Sequence, residues 1–358
     1  MRLLPDAESF RRLVDGSLTG VGPALARGVL AGVAIPYGAV VGLRNRAYDT
    51  GLLGIRRADV PVVSVGNLTL GGTGKTPLVS WIARAYRRRS RRVAIVSRGY
   101  GALAGEPSDE AAELAVVLPD VPHVADRDRV AAVARAVAGG AEVAILDDGF
   151  QHRRLARTVD IVAVDATDPD GCGHLFPRGL LREPVAALRR ADAVVLTRAS
   201  AVAHERRREI HAAVVRASGA RPLVWLETDH EPVGLRGLDG ALRPLEWLAG
   251  RRVAAFAGIG NPAPFRAMLV GRGAAPLGFH AFPDHHRYDA SDQHRLGAWG
   301  AGLGAEVLVT TLKDMVKLSP EAFTLPVVAV EIALAPLGDA APLERLLDDV
   351  WRRDGVES

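Results

Sequence analysis

Cysteine is almost absent: Cys172 stands alone among 358 residues, so neither an internal disulfide nor a multi-thiolate metal site can form. A reducing compartment such as the cytosol fits. Lysine is nearly as scarce. It occurs only as Lys75, Lys313 and Lys317, and arginine supplies all the rest of the 45 basic residues. A chain that uses arginine wherever a generic positive charge will do makes each retained lysine conspicuous. Aromatics are 5% of the chain and do not interleave with the arginine runs (Arg87 to Arg89, Arg91, Arg92). Those runs therefore read as a solvated face rather than a single-strand nucleic-acid patch. No short apolar core followed by a cleavage site marks a signal peptide. The longest uncharged stretch near the N-terminus, Val29 to Leu43, lies between Arg27 and Arg44 and contains Pro36. It falls short of the ~20 apolar residues of a spanning helix. It reads either as a buried core helix or as an interfacial segment with arginines reaching lipid head groups. Low-complexity tracts and short internal repeats are also missing.

What is present is ordinary globular composition, 48% hydrophobic and 24% charged, which excludes disorder, collagen and coiled coil. At about 150 residues per domain the length suggests roughly two domains. A net charge of +4 and a pI of about 9.5 permit an anionic substrate, membrane or nucleic acid as partner. Apolar runs alternate with amphipathic stretches. Strands are expected at Pro61–Gly66, Val93–Ser97, Val143–Leu146, Ile161–Val164 and Ala193–Thr197, and helices at Thr76–Arg89, Asp126–Ala138 and Ala201–Ser218. That alternation predicts a parallel sheet covered on both faces. A stretch with Gly234, Gly237, Gly240 and Pro244 reads as a linker with short strands. A second alternation follows, with strands at Val253–Ala257, Val307–Thr310 and Val327–Ile332 and helices at Pro264–Val270 and Leu343–Arg352. The expected boundaries are an N-terminal helical region at 1–50, a core domain at 51–228, a linker at 229–250 and a second α/β domain at 251–358.

The strongest local signal is the run from Pro61 through Gly66, Asn67, Gly71, Gly72, Thr73, Gly74 and Lys75 to Thr76 and Pro77. A buried strand enters a glycine-rich turn, and a helix begins at the Lys-Thr pair. Glycines let backbone N–H groups converge on phosphate oxygens, and the helix N-terminus adds its positive dipole end. Lys75 would reach the β and γ phosphates, and the Thr76 hydroxyl would join a Mg²⁺ shell. The strict pattern requires glycine where Thr69 stands, so Gly71 and Gly72 would supply the turn. A second signal is Asp147-Asp148 after four apolar residues, Val143 to Leu146. Ligands of open α/β sheets bind at that strand edge, and a strand-end aspartate is how Mg²⁺ is presented in P-loop proteins.

Four blocks together resemble the tetraacyldisaccharide 4′-kinase (lipid A 4′-kinase) family: Gly66 to Pro77, Ser97-Arg98-Gly99-Tyr100-Gly101, Asp147-Asp148-Gly149-Phe150-Gln151-His152, and Leu181-Arg182-Glu183-Pro184. Weaker blocks follow at Ala257 to Pro262, Phe282 to His286 and Thr310 to Asp314. The resemblance implies an α/β fold with a P-loop-type parallel-sheet domain, helices on both faces, a second smaller α/β domain, and an N-terminal helical membrane-docking region. It implies a kinase that moves the γ-phosphoryl of ATP, with Mg²⁺, to the 4′-hydroxyl of a tetraacylated glucosamine disaccharide 1-phosphate, giving lipid IVA. Such an enzyme would be peripheral on the cytoplasmic face of the inner membrane. Val29 to Leu43 would then dock on lipid. Neither nucleic acid nor an obligate protein partner is implied.

Residue roles follow from motif position in that resemblance. The acceptor-side acid is expected at Asp109, within Ser108-Asp109-Glu110-Ala111, where the family's glycine and proline are both replaced; Gly105-Glu106-Pro107 offers a rival register. His285 would partner Asp109, and Lys75 and Asp148 complete the catalytic set. Because His285 falls in the second domain and ATP in the first, closure would precede chemistry. Leu70, Gly71, Gly72, Thr73, Gly74, Lys75, Thr76 and Lys313 would hold nucleotide. Thr76, Asp147 and Glu110 would serve Mg²⁺, with the choice between Asp147 and Asp148 as direct ligand open. Asn67, Arg98, Gln151, His152 and Arg182 would bind the lipid substrate. The block at 311–314 carries Leu312 where the family has glutamate, and a structural Lys313–Asp314 pair remains an alternative to nucleotide contact. Competing functions are a P-loop NTPase and a soluble small-molecule kinase with a different acceptor. The Asn/Thr-Lys-x-Asp guanine signature is absent, since Lys313 and Asp314 are adjacent.

Overall fold

The computed structural model describes residues 7–99, 108–274 and 276–353. In chain order these form α1 (Ala7–Val14), α2 (Val21–Asp49), β1 (Val62–Asn67), α3 (Lys75–Arg88), β2 (Val93–Ser97), α4 (Asp109–Val117), β3 (His123–Ala125), α5 (Arg129–Ala138), β4 (Val143–Asp147), β5 (Val159–Asp165), β6 (Ala193–Thr197) and α6 (His204–Ala217). Then come β7 (Val224–Gly237), β8 (Leu242–Arg243), β9 (Val253–Ala257), α7 (Ala263–Gly271), β10 (Gly278–Ala281), α8 (Ala290–Gly302), β11 (Val307–Thr311), α9 (Leu312–Met315), β12 (Val327–Pro336), α10 (Ala341–Asp348) and α11 (Val350–Arg353).

Two units emerge. The larger holds residues 9–99, 117–230 and 334–353 of those described, and the smaller holds 7–8, 108–116, 231–274 and 276–333. In the larger unit the strand order is β7-β6-β5-β1-β4-β2-β3, with every neighbouring pair parallel. Strands β1, β2, β4, β5 and β6 are buried nearly end to end and read as apolar runs because both faces are covered. Leu68, Phe150, Val162, Leu181 and Val194 fill one core; Val62, Ala94, Val96, Ala144 and Leu146 fill another with α5 residues Ala132, Val133 and Ala136. The smaller unit orders its strands β10-β9-β11-β12-β7, with β8 antiparallel to β7. Along β9, Val253, Ala255 and Ala257 enter one core while Ala254 and Phe256 enter another, the two-residue alternation of a strand buried on both sides.

Several expectations need correction. The stretch Val29 to Leu43 is neither short nor a buried core helix. It belongs to the 29-residue α2, which runs through Pro36 and buries only Val41 and Asn45. Proline removes one helical donor, and the turns on either side carry the helix past it. The stretch 229–250 is not mainly a linker: it contains the second half of the 14-residue β7. Only scattered β7 residues are buried, so no apolar run announced it. The three-residue β3 and the four-residue β10 were likewise unannounced. The expected closing helix at Leu343–Arg352 is two, α10 and α11.

Candidate functional site

In the larger unit, β1 delivers the chain into the phosphate loop from a fully buried strand. Gly66 is required there: a Cβ would stand 2.5 Å from Phe150 Cβ and 2.7 Å from its backbone nitrogen. Asn67 then pins the loop from inside, its Nδ2 donating to Thr69 O at 2.8 Å and to Thr73 Oγ1 at 2.9 Å. Leu70 N donates to Leu180 O at 2.7 Å. Gly71 (φ 106°) and Gly74 (φ 82°) take left-handed conformations that favour glycine, so Gly71 does supply the turn that Thr69 does not.

The carbonyls on the back of the loop are held. Thr197 Oγ1 donates to Thr73 O, and an Arg198 guanidinium nitrogen donates to Gly72 O, both at 2.9 Å. Arg198 in turn pairs with Asp165. Helix α3 starts at Lys75 with Gly74 as N-cap and no capping side chain. By contrast, Asp128 caps α5 through Val130 N and Ala131 N. The first-turn N–H groups of α3 are thus left for an anion. At Gly71 and Gly72 a Cβ would meet nothing within 4 Å, so the space above the loop is open. These features fit a nucleotide phosphate.

Register places the two acids beside this loop, because β1 pairs with β4 so that Val65 faces Asp147. Asp147 is buried. Asp148 takes a left-handed φ of 55°, and its carboxylate lies 3.5 Å from Lys75 Nζ and 2.8 Å from an Arg182 guanidinium nitrogen. Burial pushes Asp148 up, but the charges of Lys75 and Arg182 outweigh it and hold the carboxyl at about 2. Gln151 Nε2 donates to Asn67 O at 2.8 Å. His152 is pushed down to about 4 by burial and then by the Arg129 charge, so it is neutral near pH 7. Gln151 Oε1 and His152 Nε2 are buried with hydrogen-bonding capacity unspent. Arg98 is exposed at the end of β2. The structure therefore brings Lys75, Asp148 and Arg182 into one contact network and Asn67 and Gln151 into another at the base of the loop. Tyr100, Gly101 and the rival register at 105–107 lie outside the described residues.

Mg²⁺ keeps several waters and is held by one or two carboxylates plus substrate phosphates rather than by an all-protein cage. Thr76, in the first turn of α3, and Asp147 suit that role. Among the described residues no group of three or more His, Cys, Asp and Glu is arranged to hold a metal by itself.

In the smaller unit, Asp109 opens α4 and meets His285, whose Nδ1 is 3.1 Å from Asp109 Oδ2. Lys313 Nζ lies 3.2 Å from Asp284 Oδ1 and 3.3 Å from His285 Nε2. Asp314 is instead buried, accepting from Gly258 N at 2.9 Å and Thr311 Oγ1 at 2.7 Å, so Lys313 and its neighbour point to different partners. Glu110 follows Asp109 on α4 and is half-buried.

Sequence reasoning missed four residues of these networks. Arg129 is buried and donates to the carbonyls of Asp147 and Asp148 at 3.4 and 3.2 Å. Arg198 grips the loop from behind. His230 packs against Gly74, where any Cβ would collide with its imidazole; burial, then the Arg198 charge, push it down to about 4. Lys317 stands beside Asp109. Only Lys317 had a readable signal, as one of three lysines.

A parallel sheet whose central strand runs through a glycine turn into an uncapped helix, with acids ending the adjacent strand, defines the class as a P-loop phosphate-binding α/β protein. Comparison narrows it. Residues 26–352 match the family model described as tetraacyldisaccharide-1-P 4′-kinase. The tetraacyldisaccharide 4′-kinase of Anaeromyxobacter dehalogenans (strain 2CP-C) is 44% identical over 318 residues, covering 82% of this chain and 83% of that protein. The protein of that name from Geobacter metallireducens is 39% identical over 344 residues, covering 91% and 98%. The crystal structure of LpxK from Aquifex aeolicus in complex with ATP superposes with a TM-score of 0.71 at 30% identity, covering 91% of this chain and 99% of that one. The chain belongs to the tetraacyldisaccharide-1-phosphate 4′-kinase family.

Proposed function

We propose that the chain transfers the γ-phosphoryl of ATP to the 4′-hydroxyl of a tetraacyldisaccharide 1-phosphate, with the site residues acting as follows. Lys75 and the α3 N-terminal N–H groups bind the β and γ phosphates. Thr76 and Asp147 would hold Mg²⁺, which would supply further neutralisation of charge on the phosphate oxygens. Asp148, kept anionic by Lys75 and Arg182, holds the lysine in place until phosphate arrives. On the acceptor side Asp109 takes the hydroxyl proton as the 4′ oxygen bonds to phosphorus and the bond to the ADP oxygen breaks. His285 holds Asp109 in its anionic form. Gln151 and His152 present unspent polar atoms, and Arg98 and Arg182 present guanidinium groups suited to phosphate. The observation that carries this reading is the 3.1 Å contact between Asp109 and His285, residues far apart in sequence and joined in one acid–imidazole pair.

We further infer that the enzyme docks on the inner-membrane surface through α2. Val21, Leu25, Val29, Ile35, Val40 and Leu43 are exposed. The opposite side of the helix is tied down: Tyr37 Oη donates to Arg182 O at 2.9 Å, and Arg44 pairs with Glu183 at 3.0 Å. The helix is long and apolar enough to span by length and composition. With Tyr37 to Asp49 engaged by protein, fewer than the ~20 residues of a span remain. One apolar face lying in the interface satisfies both observations.

The test is ³²P transfer from ATP to purified tetraacyldisaccharide 1-phosphate in detergent micelles, wild type against Lys75→Ala. Label at the 4′ position in the wild type only supports the reading. No transfer by folded, ATP-binding wild type overturns the acceptor.

A further inference from the structure

All three lysines of this arginine-rich chain fall in the two networks described, and two of them, Lys75 and Lys313, carry a nucleotide-binding expectation from the sequence. Lys317 has none assigned. Its Nζ stands 3.1 Å from Asp314 Oδ1 and 3.5 Å from Asp109 Oδ2. The side chain is 12% exposed, and the Tyr288 ring lies with its centroid 5.4 Å from Nζ. An ammonium this enclosed is stable only between anions.

The far end of the bridge is rigid. Asp314 is fully buried, and its Oδ2 is fixed by Gly258 N and Thr311 Oγ1. Gly258 leaves the necessary room: a Cβ there would stand 3.0 Å from Asp314 Oδ1 and 2.9 Å from the Tyr288 hydroxyl. The near end is selective. His285 and Lys317 both engage Oδ2 of Asp109, and neither contact uses Oδ1. A compact ammonium on a flexible stem reaches two carboxylates in so confined a place. The broad planar guanidinium that this chain uses elsewhere demands more room.

We propose that Lys317 is a positioning residue for the acceptor side: it ties Asp109 Oδ2 to the fixed Asp314, so that Oδ1 is presented to the acceptor hydroxyl. This rests on Asp109 being the acceptor-side acid. Lys317 touches no reacting atom in this account and acts only through Asp109.

The experiment is a double-mutant cycle on the full-length enzyme in micelles, with Lys317→Met, Asp109→Ala and the double variant, following kcat and both KM values. Lys317→Met is expected to lower kcat about 10- to 100-fold and to leave KM for ATP and for lipid within about threefold. In the Asp109→Ala background the same change should alter the residual rate by less than about twofold. Should Lys317→Met melt well below the wild type, the isosteric Asp314→Asn carries the same cycle with the same expectation. An unchanged kcat, or an equal fractional loss in both backgrounds, overturns the proposal. Asp109→Ala active at the wild-type rate would overturn the underlying reading, and the proposal with it. A normal Asp109→Ala loss beside a neutral Lys317→Met overturns the proposal alone.

Discussion

His285 Nδ1 lies 3.1 Å from Asp109 Oδ2, and the backbone of His285 is bent into the left-handed region (φ 57°) to place it there. Its own N–H donates to Gly258 O at 3.2 Å and to Asp284 Oδ1 at 3.0 Å, which holds the bend. Strain of this sort persists where the surroundings over-determine it.

This pair makes the first prediction, a pH dependence. The hydrogen bond with Asp109 raises His285 above its usual 6.5, against burial that lowers it. Burial raises Asp109, but the His285 hydrogen bond and the Lys317 charge outweigh it, leaving the carboxyl below its usual 3.8. The raised His285 contributes stability that is full below pH 6.5 and is lost as pH rises through its folded value. The lowered Asp109 contributes stability that is present above pH 3.8 and is lost as pH falls through its folded value. Between those limits the charged pair is complete. Replacing His285 with glutamine removes the imidazolium charge and the Nδ1 donor that face Asp109, so the acid limb of kcat/KM should move to higher pH. A profile of wild type and His285→Gln checks this; an unmoved acid limb would uncouple the two residues.

Gly66→Ala should lose stability and nucleotide affinity together. Its Cβ enters the space of Phe150, and overpacking of this kind costs typically about 1–3 kcal/mol. Since Gly66 immediately precedes Asn67, the displaced strand end also moves the Asn67 contacts that shape the loop. Urea denaturation and ATP binding of the same sample check both effects.

Trp351→Ala should destabilise without changing the chemistry. Trp351 is 7% exposed, packs edge-on against Tyr86 with centroids 5.8 Å apart and lies under the Arg91 guanidinium at 4.3 Å. Truncating a buried tryptophan costs about 3–5 kcal/mol. Thermal melting should fall, while kcat per folded molecule stays at the wild-type level.

Leu25, Val29 and Ile35 changed together to aspartate should leave the fold intact, because all three are exposed. Binding to anionic phospholipid vesicles should fall by at least about tenfold, given the transfer free energy of three aliphatic side chains. Sedimentation with vesicles measures it; unchanged binding would remove α2 from the docking surface.

How much of this was legible in the sequence follows from burial. Strands β2, β6 and β9 were readable to the residue because they are covered on both faces and appear as unbroken apolar runs. The phosphate loop was readable because its glycines and the Lys75–Thr76 pair are local. Strand β7 was not, since only a few of its positions are buried. Helix α2 was read too short because Pro36 interrupts the uncharged run and Arg27 and Arg44 bound it, whereas the helix continues past all three. Asp109 and His285 could be paired only through family resemblance: the 176-residue separation of the pair leaves no local trace. Arg129 and Arg198 were invisible among so many arginines, since only the fold distinguishes a buried guanidinium from a solvated one.

The most direct measurement is ³²P transfer from ATP to tetraacyldisaccharide 1-phosphate by wild type, Asp109→Ala and His285→Ala, with ATP binding measured on the same samples. The account predicts label at the 4′ position for the wild type, a loss of about 100-fold or more in kcat for Asp109→Ala, a smaller loss for His285→Ala, and undiminished ATP binding in both variants. Wild-type transfer rates in Asp109→Ala would contradict it.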